Sequence, residues 1–343
     1  MTIMIFGLLF LLTWRSDLHS QSPFYQGKTI RHVVGSPSGS NYDNYGRLTA
    51  AHIGKYLPGN PEVVVQNMVG AGSMIAANYI YRVATPDGLT LGSILPGLYF
   101  DQLVGRPEVR FDYAKFSWIG STDRSNNLVI MRADAPYKTI RDLRGSGQVP
   151  KCAATGTGSI AYQIPRLLEE TIGVKFNIVT GYPGGPDMDL AVERGEVQCR
   201  AFTHSAYFSR REPYLSWREK GSVRVIIQTG QKRDPRLPNV PTLFEVMEEL
   251  KAAESSKRLA KLVLAAGDLG RPIIAPPGVP QERVKILRQA FMKAMSDPQL
   301  LAQAEKQNVE IEPTSGEELA ALAKDVTAQP QEVIERMKKL MGK

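Results

Sequence analysis

The chain has 343 residues, 43% hydrophobic, 22% charged and 8% aromatic, which excludes a disordered or fibrous polymer and supplies enough apolar material for one large or two ordinary domains. The formal net charge is +8, but the basic pairs Arg210-Arg211, Lys232-Arg233 and Lys257-Arg258 are scattered among acids, which reads as a solvated surface and not a nucleic-acid face. Two cysteines and four histidines show no metal-ligand spacing, so neither a metal nor another cofactor is expected.

Ile3–Leu12 is an apolar run too short to span a bilayer, which takes about 20 residues, and suited to the core of a secretory signal peptide. Residues 1–20 are therefore set apart as a signal peptide ending at Ser20, atypical in having no Lys or Arg before the apolar run. Lys28–Val34 reads as a strand, a Ser/Gly turn follows, and a helix runs from Tyr42 to Leu57 with Tyr45, Leu48, His52 and Tyr56 on one face. Glu62–Gln66 is a continuous apolar strand of the parallel-sheet kind. Gly70-Ala71-Gly72-Ser73 leads from it into a helix that turns Ile75, Ala76, Tyr79, Ile80 and Val83 inward. Pro86-Asp87-Gly88 then turns the chain into a strand at Leu89–Ile94. This alternation gives a parallel sheet covered by helices on both faces.

Phe116–Gly120 and Leu128–Met131 are strands leading away from that sheet, and from Lys151 the same order restarts. A strand at Lys151–Thr155 meets the turn Gly156-Thr157-Gly158-Ser159 and then a helix to Ile172, which Pro165 must kink or delay. Phe176–Thr180, a glycine-rich turn, a short helix, Val197–Phe202 and Val223–Thr229 complete the second unit. A strand order 2-1-3 there sets Cys152 beside Cys199. A bridge between adjacent parallel strands is strained, so two buried thiols are the simpler expectation and a Cys152–Cys199 disulfide the alternative. From Pro241 the chain reads as helical, apart from a strand near Val309–Ile311, with capping boxes at Thr242-x-x-Glu245 and Ser315-x-x-Glu318. The expected organisation is a discontinuous first lobe, 24–126 with 241–343 packing back on it, and a second lobe, 127–240.

In open parallel sheets ligands bind beyond the carboxyl ends of the strands. The loops that fall there, 35–43, 70–75, 155–160, 181–186 and 203–205, are rich in Gly, Ser and Thr and contain no Lys or Arg. Glycine-rich strand-to-helix turns present backbone N–H groups to an anion. Each hydrogen bond to a carboxylate is worth roughly 1.5–3 kcal/mol, so four or five reach the ~8 kcal/mol of a micromolar site after binding costs. Two such turns suggest one acidic ligand held between two lobes, with Ser73 and Ser159 donating to its oxygens. His204, at a strand end, is the one histidine kept as a ligand contact, while His32 and His52 are read as packed and Asp43 as a helix-capping acid. Gly156-x-Gly158-x-x-Ala161 matches a dinucleotide fingerprint, but the next strand ends Val179-Thr180-Gly181 without the acid such a site needs. No nucleophile elbow, Walker loop or nucleophile–base set occurs, which argues against an enzyme.

Several segments resemble, in order, the solute receptors of tripartite tricarboxylate transporters, the Bug proteins. They are Gly35–Arg47 with Tyr42-Asp43-x-x-x-x-Arg47, Gln66-Asn67-Met68-x-Gly70-Ala71-Gly72-Ser73, Pro86-Asp87-Gly88, Trp118-Ile119-Gly120, Gly181-Tyr182-Pro183-Gly184-Gly185, Glu193-Arg194-Gly195-Glu196-Val197, Leu237-Pro238-x-Val240-Pro241 and Ala275-Pro276-Pro277-Gly278-Val279-Pro280. The resemblance implies a type II periplasmic binding-protein fold, two doubly wound α/β lobes that close on a small carboxylated solute like a flytrap. It implies a periplasmic location and delivery to the membrane permease subunits, and a monomer is expected. The ligand positions carried over are Ser36, Ser38, Ser40, Asn41, Ala71, Gly72, Ser73, Thr157, Ser159, Tyr182, Gly184 and Thr203, to which the residues themselves add Gly158 and His204. The chain departs from the family at Ser38-Gly39-Ser40-Asn41, where adjacent glycines are usual, and at Cys199-Arg200. The alternatives are a receptor for a membrane signalling partner and a nucleotide-dependent α/β enzyme.

Overall fold

Eleven strands among the described residues fall into two sheets. They are β1 Thr29–Val34, β2 Glu62–Asn67, β3 Thr90–Ser93, β4 Ser117–Ser121, β5 Asn127–Arg132, β6 Lys151–Ala153, β7 Asn177–Val179, β8 Cys199–Thr203, β9 Val223–Gln228, β10 Pro272–Ala275 and β11 Thr314–Ser315. The structure is a computed structural model and describes residues 23–156, 159–183, 185–208, 212–307 and 309–340. The signal peptide expected at 1–20, and the candidate site residues Thr157, Gly158 and Gly184, lie outside the described residues.

The first sheet has the order β11-β4-β10-β3-β1-β2 and the second β7-β6-β8-β5-β9. In each, three parallel strands in the order 2-1-3 are followed by one antiparallel strand, β10 in the first and β5 in the second. Both antiparallel strands arrive from the other half of the molecule, since β5 follows β4 and β10 follows the second sheet. A purely parallel reading misses this exchange. β10 itself, Pro-Ile-Ile-Ala, is short and proline-flanked inside a stretch that reads as helical.

The inner parallel strands are buried because helices cover both faces. Ile30, Val33, Val34, Leu91 and Ala153 are fully buried, as are Val129 and Ile130 of the antiparallel β5, whereas the edge strand β2 leaves Val64 44% exposed. Helix Asn41–Ile53 follows β1 with Tyr45, Leu48 and His52 buried, and tightens at Gly54–Tyr56 into a 3-10 turn instead of running on to Leu57. Helix Ile160–Ile172 starts directly after Ser159 and continues through Pro165, whose ring is buried on the helix's packed face. The delay expected from that proline does not occur.

The C-terminal stretch divides its packing. Helices Gln281–Met295 and Pro298–Lys306 lie on helix Asn41–Ile53, and Gly316–Thr327 lies on β4. Helix Gln331–Leu340, however, packs against Glu254–Leu269 and Ile160–Ile172, which reach the second sheet's core. Helix Gln331–Leu340 thus reaches a helix that follows β6, while Gln281–Met295, Pro298–Lys306 and Gly316–Thr327 lie on the first sheet's elements. No strand forms at Val309–Ile311, because that segment is tied singly, by Val309 N–H to Ala304 and by the Tyr45 hydroxyl to the Glu310 carbonyl; pairing with β4 begins only at Thr314. Cys152 and Cys199 are register partners on β6 and β8, and a disulfide joins them where two thiols were the simpler expectation. No helix among the described residues is long and apolar enough to cross a membrane.

Candidate functional site

Strands β1, β2, β3 and β4 all end at one edge of the first sheet, and β6, β7 and β8 end at the edge of the second sheet where β5 begins, Asn127 standing opposite Thr203. Residues 122–126 join the two edges. They run beside a second crossing, 267–271: Ser125 N–H donates to the Gly267 carbonyl at 2.9 Å, and Thr122 and Arg271 exchange two longer bonds of 3.4 Å with each other and with Asp123. The loops predicted to bind an anion issue from these two joined edges.

The first loop is held by Asp43, which is only 1% exposed. Its Oδ2 accepts from Gly39 N–H and Arg47 Nε, each at 2.8 Å, and its Oδ1 accepts from Asn67 Nδ2 at 2.8 Å. Burial alone would raise the carboxyl pKa, but Arg47, Gly39 and Asn67 together outweigh it and hold the group below its ordinary value. Sequence reading takes Asp43 as a capping acid and misses Asn67; the Asp43–Arg47 spacing of four residues in a helix was the available signal. Ser40 caps the helix by accepting from Asp43 N–H, and its hydroxyl lies 2.8 Å from that of Ser36. Ser38 and Asn41 are exposed.

The second loop is a strained turn. Ala71, Gly72 and Ser73 have φ of 44°, 61° and 71°, three consecutive left-handed residues of which two carry a Cβ. Such conformations are disfavoured for non-glycine residues and cluster where backbone groups must be aimed at something. Ala71 and Gly72 are exposed. Ser73 is not: it is 2% exposed and its hydroxyl donates to the Gly35 carbonyl at 2.8 Å. A Cβ on Gly35 would stand 2.5 Å from that hydroxyl oxygen, so the first two loops touch through this bond. Ser73 thus uses its hydroxyl to brace the loops, where sequence reading assigns that hydroxyl to a ligand.

The same correction applies on the second sheet. The Ser159 hydroxyl donates to the Gly156 carbonyl at 2.7 Å, closing its own turn. Tyr182 is half-buried, and Thr203 caps the short helix His204–Tyr207 by accepting from Ala206 N–H. His204 is 6% exposed, with Nδ1 at 3.1 Å from Asp234. Beneath the loop 181–185, Arg200 donates to the Gly185 carbonyl at 2.9 Å and pairs with Asp189, whose other oxygen takes the Tyr214 hydroxyl at 2.8 Å. Arg200 and Asp189 are both almost fully buried, and burial pushes the Asp189 pKa up against the pull of Arg200.

The expected packed histidines are buried, His32 at 0% and His52 at 8%. In the crossing, Arg271 pairs with Asp123 and lies over the ring of Tyr45 at 4.4 Å. Among the described residues no cluster of three or more His, Cys, Asp or Glu is placed to hold a metal. Two surface cavities lie away from these loops. One, of about 390 Å³, is at the opposite edge of the second sheet around Arg132 and Trp217; the other, of about 270 Å³, is beside the crossing around Arg124 and Asp268.

The model of one protein family, the tripartite tricarboxylate transporter family receptor, matches residues 46–339. The UPF0065 protein in the gbd 5' region of Cupriavidus necator is 26% identical over 323 residues, covering 93% of this chain and 90% of the relative. Among solved structures, a TctC solute binding protein from Polaromonas superposes with a TM-score of 0.71 at 20% identity, over 93% of this chain and 99% of that one. R. palustris Rpa4515 with adipate superposes with a TM-score of 0.55 at 21% identity, over 92% of this chain and 98% of that one. Both solved structures share the two-lobed α/β fold of solute-binding proteins with this chain.

Proposed function

The chain belongs to the tripartite tricarboxylate transporter receptor family, and on that premise we propose that it captures a small carboxylated organic solute between the joined carboxyl edges of its two sheets. It then delivers the solute, in the periplasm, to the membrane subunits of a transporter. The observation that carries this reading is the left-handed turn Ala71-Gly72, exposed beside the buried Ser73 brace, on an edge that the paired crossings join to the second sheet. The adipate held by a structural neighbour is the kind of solute the arrangement suits.

The backbone amides of Ala71 and Gly72 are the donors from the first half, with Ser38 and Asn41 beside them and Ser36 and Ser40 shaping the loop. The contacts proposed for the second half are Ser159, Tyr182, Thr203 and His204, with Thr157, Gly158 and Gly184 proposed from the sequence alone. Closure follows from tighter binding to the closed form, by bending at residues 122–126 and 267–271. A thermal-shift series with mono-, di- and tricarboxylates tests the reading. A solute present at about a hundred times its dissociation constant adds about 2.7 kcal/mol to stability. A flat response across the series would remove the carboxylate assignment.

A further inference from the structure

His204 stands where β8 ends, its backbone N–H bonded to the Asn126 carbonyl of the crossing at 2.9 Å. Its Nδ1 faces Asp234. Asp234 is forked by Arg236, whose Nε and Nη2 donate to Oδ1 and Oδ2 at 2.9 and 2.7 Å. Arg236 is fixed in turn by the ring of Phe208, 3.7 Å away, and by Glu310 Oε1 at 3.0 Å; the Tyr45 hydroxyl holds the Glu310 carbonyl at 2.9 Å. A carboxylate forked by a guanidinium is ionised and can only accept, so the His204 Nδ1 that faces it carries the ring proton. Nε2 is left as a lone-pair acceptor. Burial also holds the imidazole pKa below its ordinary value, outweighing Asp234, so the ring stays neutral at neutral pH.

Nε2 is buried and has no partner. A second buried acceptor without one, Asn127 Oδ1, lies on the strand paired with β8, at the position opposite Thr203. Buried polar atoms in native proteins are nearly always met. A bare carboxylate cannot meet these, because it too only accepts and would face the Nε2 lone pair with another.

We propose that His204 selects the solute by a hydrogen-bond donor: the ligand is a hydroxy-substituted carboxylic acid whose O–H donates to Nε2, while its carboxylate lies against the backbone amides of the loops. This rests on the carboxylate-receptor reading above and narrows it. Asp234 and Arg236 are positioning residues, since they fix which ring nitrogen is bare.

Calorimetry on the whole chain with matched acids tests the proposal, pairing succinate with malate, glutarate with 2-hydroxyglutarate, and butyrate with 3-hydroxybutyrate. A site built around a hydroxyl rejects the analogue that lacks it, so at least one hydroxy acid should bind about tenfold or more tighter than its partner. His204→Phe should erase the preference, and His204→Gln, which keeps an acceptor oxygen, should retain most of it. Asp234→Asn, which can donate to Nδ1 and move the ring proton to Nε2, should reverse the preference toward the plain acid, a result that loss of packing would not produce. Equal binding within every pair, or a preference that survives His204→Phe, overturns the proposal and leaves the carboxylate reading standing. Failure of all six acids to bind overturns it too, and a silent thermal-shift series beside that failure removes both.

Discussion

Asn67 Nδ2 donates to Asp43 Oδ1 at 2.8 Å and to the Ser36 carbonyl at 2.9 Å, so one amide ties the end of β2 to the first turn of the neighbouring helix and to the loop after β1. Asp43 in turn holds Gly39 and Arg47. The loop after β1 is therefore fixed from inside the protein, by the side chains of Asp43 and Asn67.

Removing that anchor deprives Gly39 N–H, Arg47 Nε and Asn67 Nδ2 of their shared acceptor at once. Asp43→Ala should cost about 2 kcal/mol of stability, since a hydrogen bond to a charged group is worth roughly 1.5–3 kcal/mol. Urea denaturation will register it as a lower midpoint at unchanged slope. An unaltered midpoint would mean that the loop is held by something else.

The left-handed turn makes the opposite kind of prediction. Ala71 sits at φ 44°, where a Cβ is strained and glycine is not. Ala71→Gly should stabilise the protein by about 0.5–1 kcal/mol and Ala71→Val should destabilise it. If the two variants melted alike, the turn would not be under strain.

His32 sets an acid limit. It is fully buried on β1 with Nε2 2.8 Å from Ser93 Oγ, and burial drives its pKa from 6.5 down to about 4, against a smaller opposing pull from Asp43. The native ring is neutral while the unfolded ring takes up a proton near pH 6.5, so the unfolded state binds more protons between these values. Stability present at pH 7 is therefore lost as pH falls from 6.5 towards 4, by up to about 3 kcal/mol from this group. Denaturation curves across that window should flatten in His32→Asn, with a residual slope of the same sign from His204. A variant profile as steep as the parent's would exclude His32 as the cause.

The buried pair Arg200–Asp189 should behave non-additively. Either Arg200→Met or Asp189→Leu leaves one charge buried without its partner and should cost about 3–5 kcal/mol, whereas the double variant should cost less than the two summed. Simple additivity in a double-mutant cycle would show that the two do not act together.

Much of this fold is written locally. The alternation of strands such as Glu62–Asn67 with amphipathic helices, punctuated by Gly70–Ser73 and Pro86-Asp87-Gly88, gives two similar α/β units, and the strand order that sets Cys152 against Cys199 follows from their topology. What is not written locally is exchange between the units. β10 has a sequence too short and too proline-flanked to announce itself, and its place beside β3 and β4 is decided by a chain returning from the other sheet. The site shows the same division. Glycine and serine mark the loops, but where a hydroxyl points is a tertiary matter: Ser73 and Ser159 both spend theirs on backbone carbonyls, and the Asn67 amide that organises the first loop looks unremarkable in the sequence.

The two crossings touch along their backbones, and at φ +60° Gly270 has no room for a Cβ, which would fall 1.7 Å from the Asp123 carbonyl oxygen. A tape of two peptide chains laid edge to edge cannot fold at one without folding at the other. In the closure proposed above, the two halves would swing along one arc set by that main-chain contact, and any bulk added at Gly270 would wedge it.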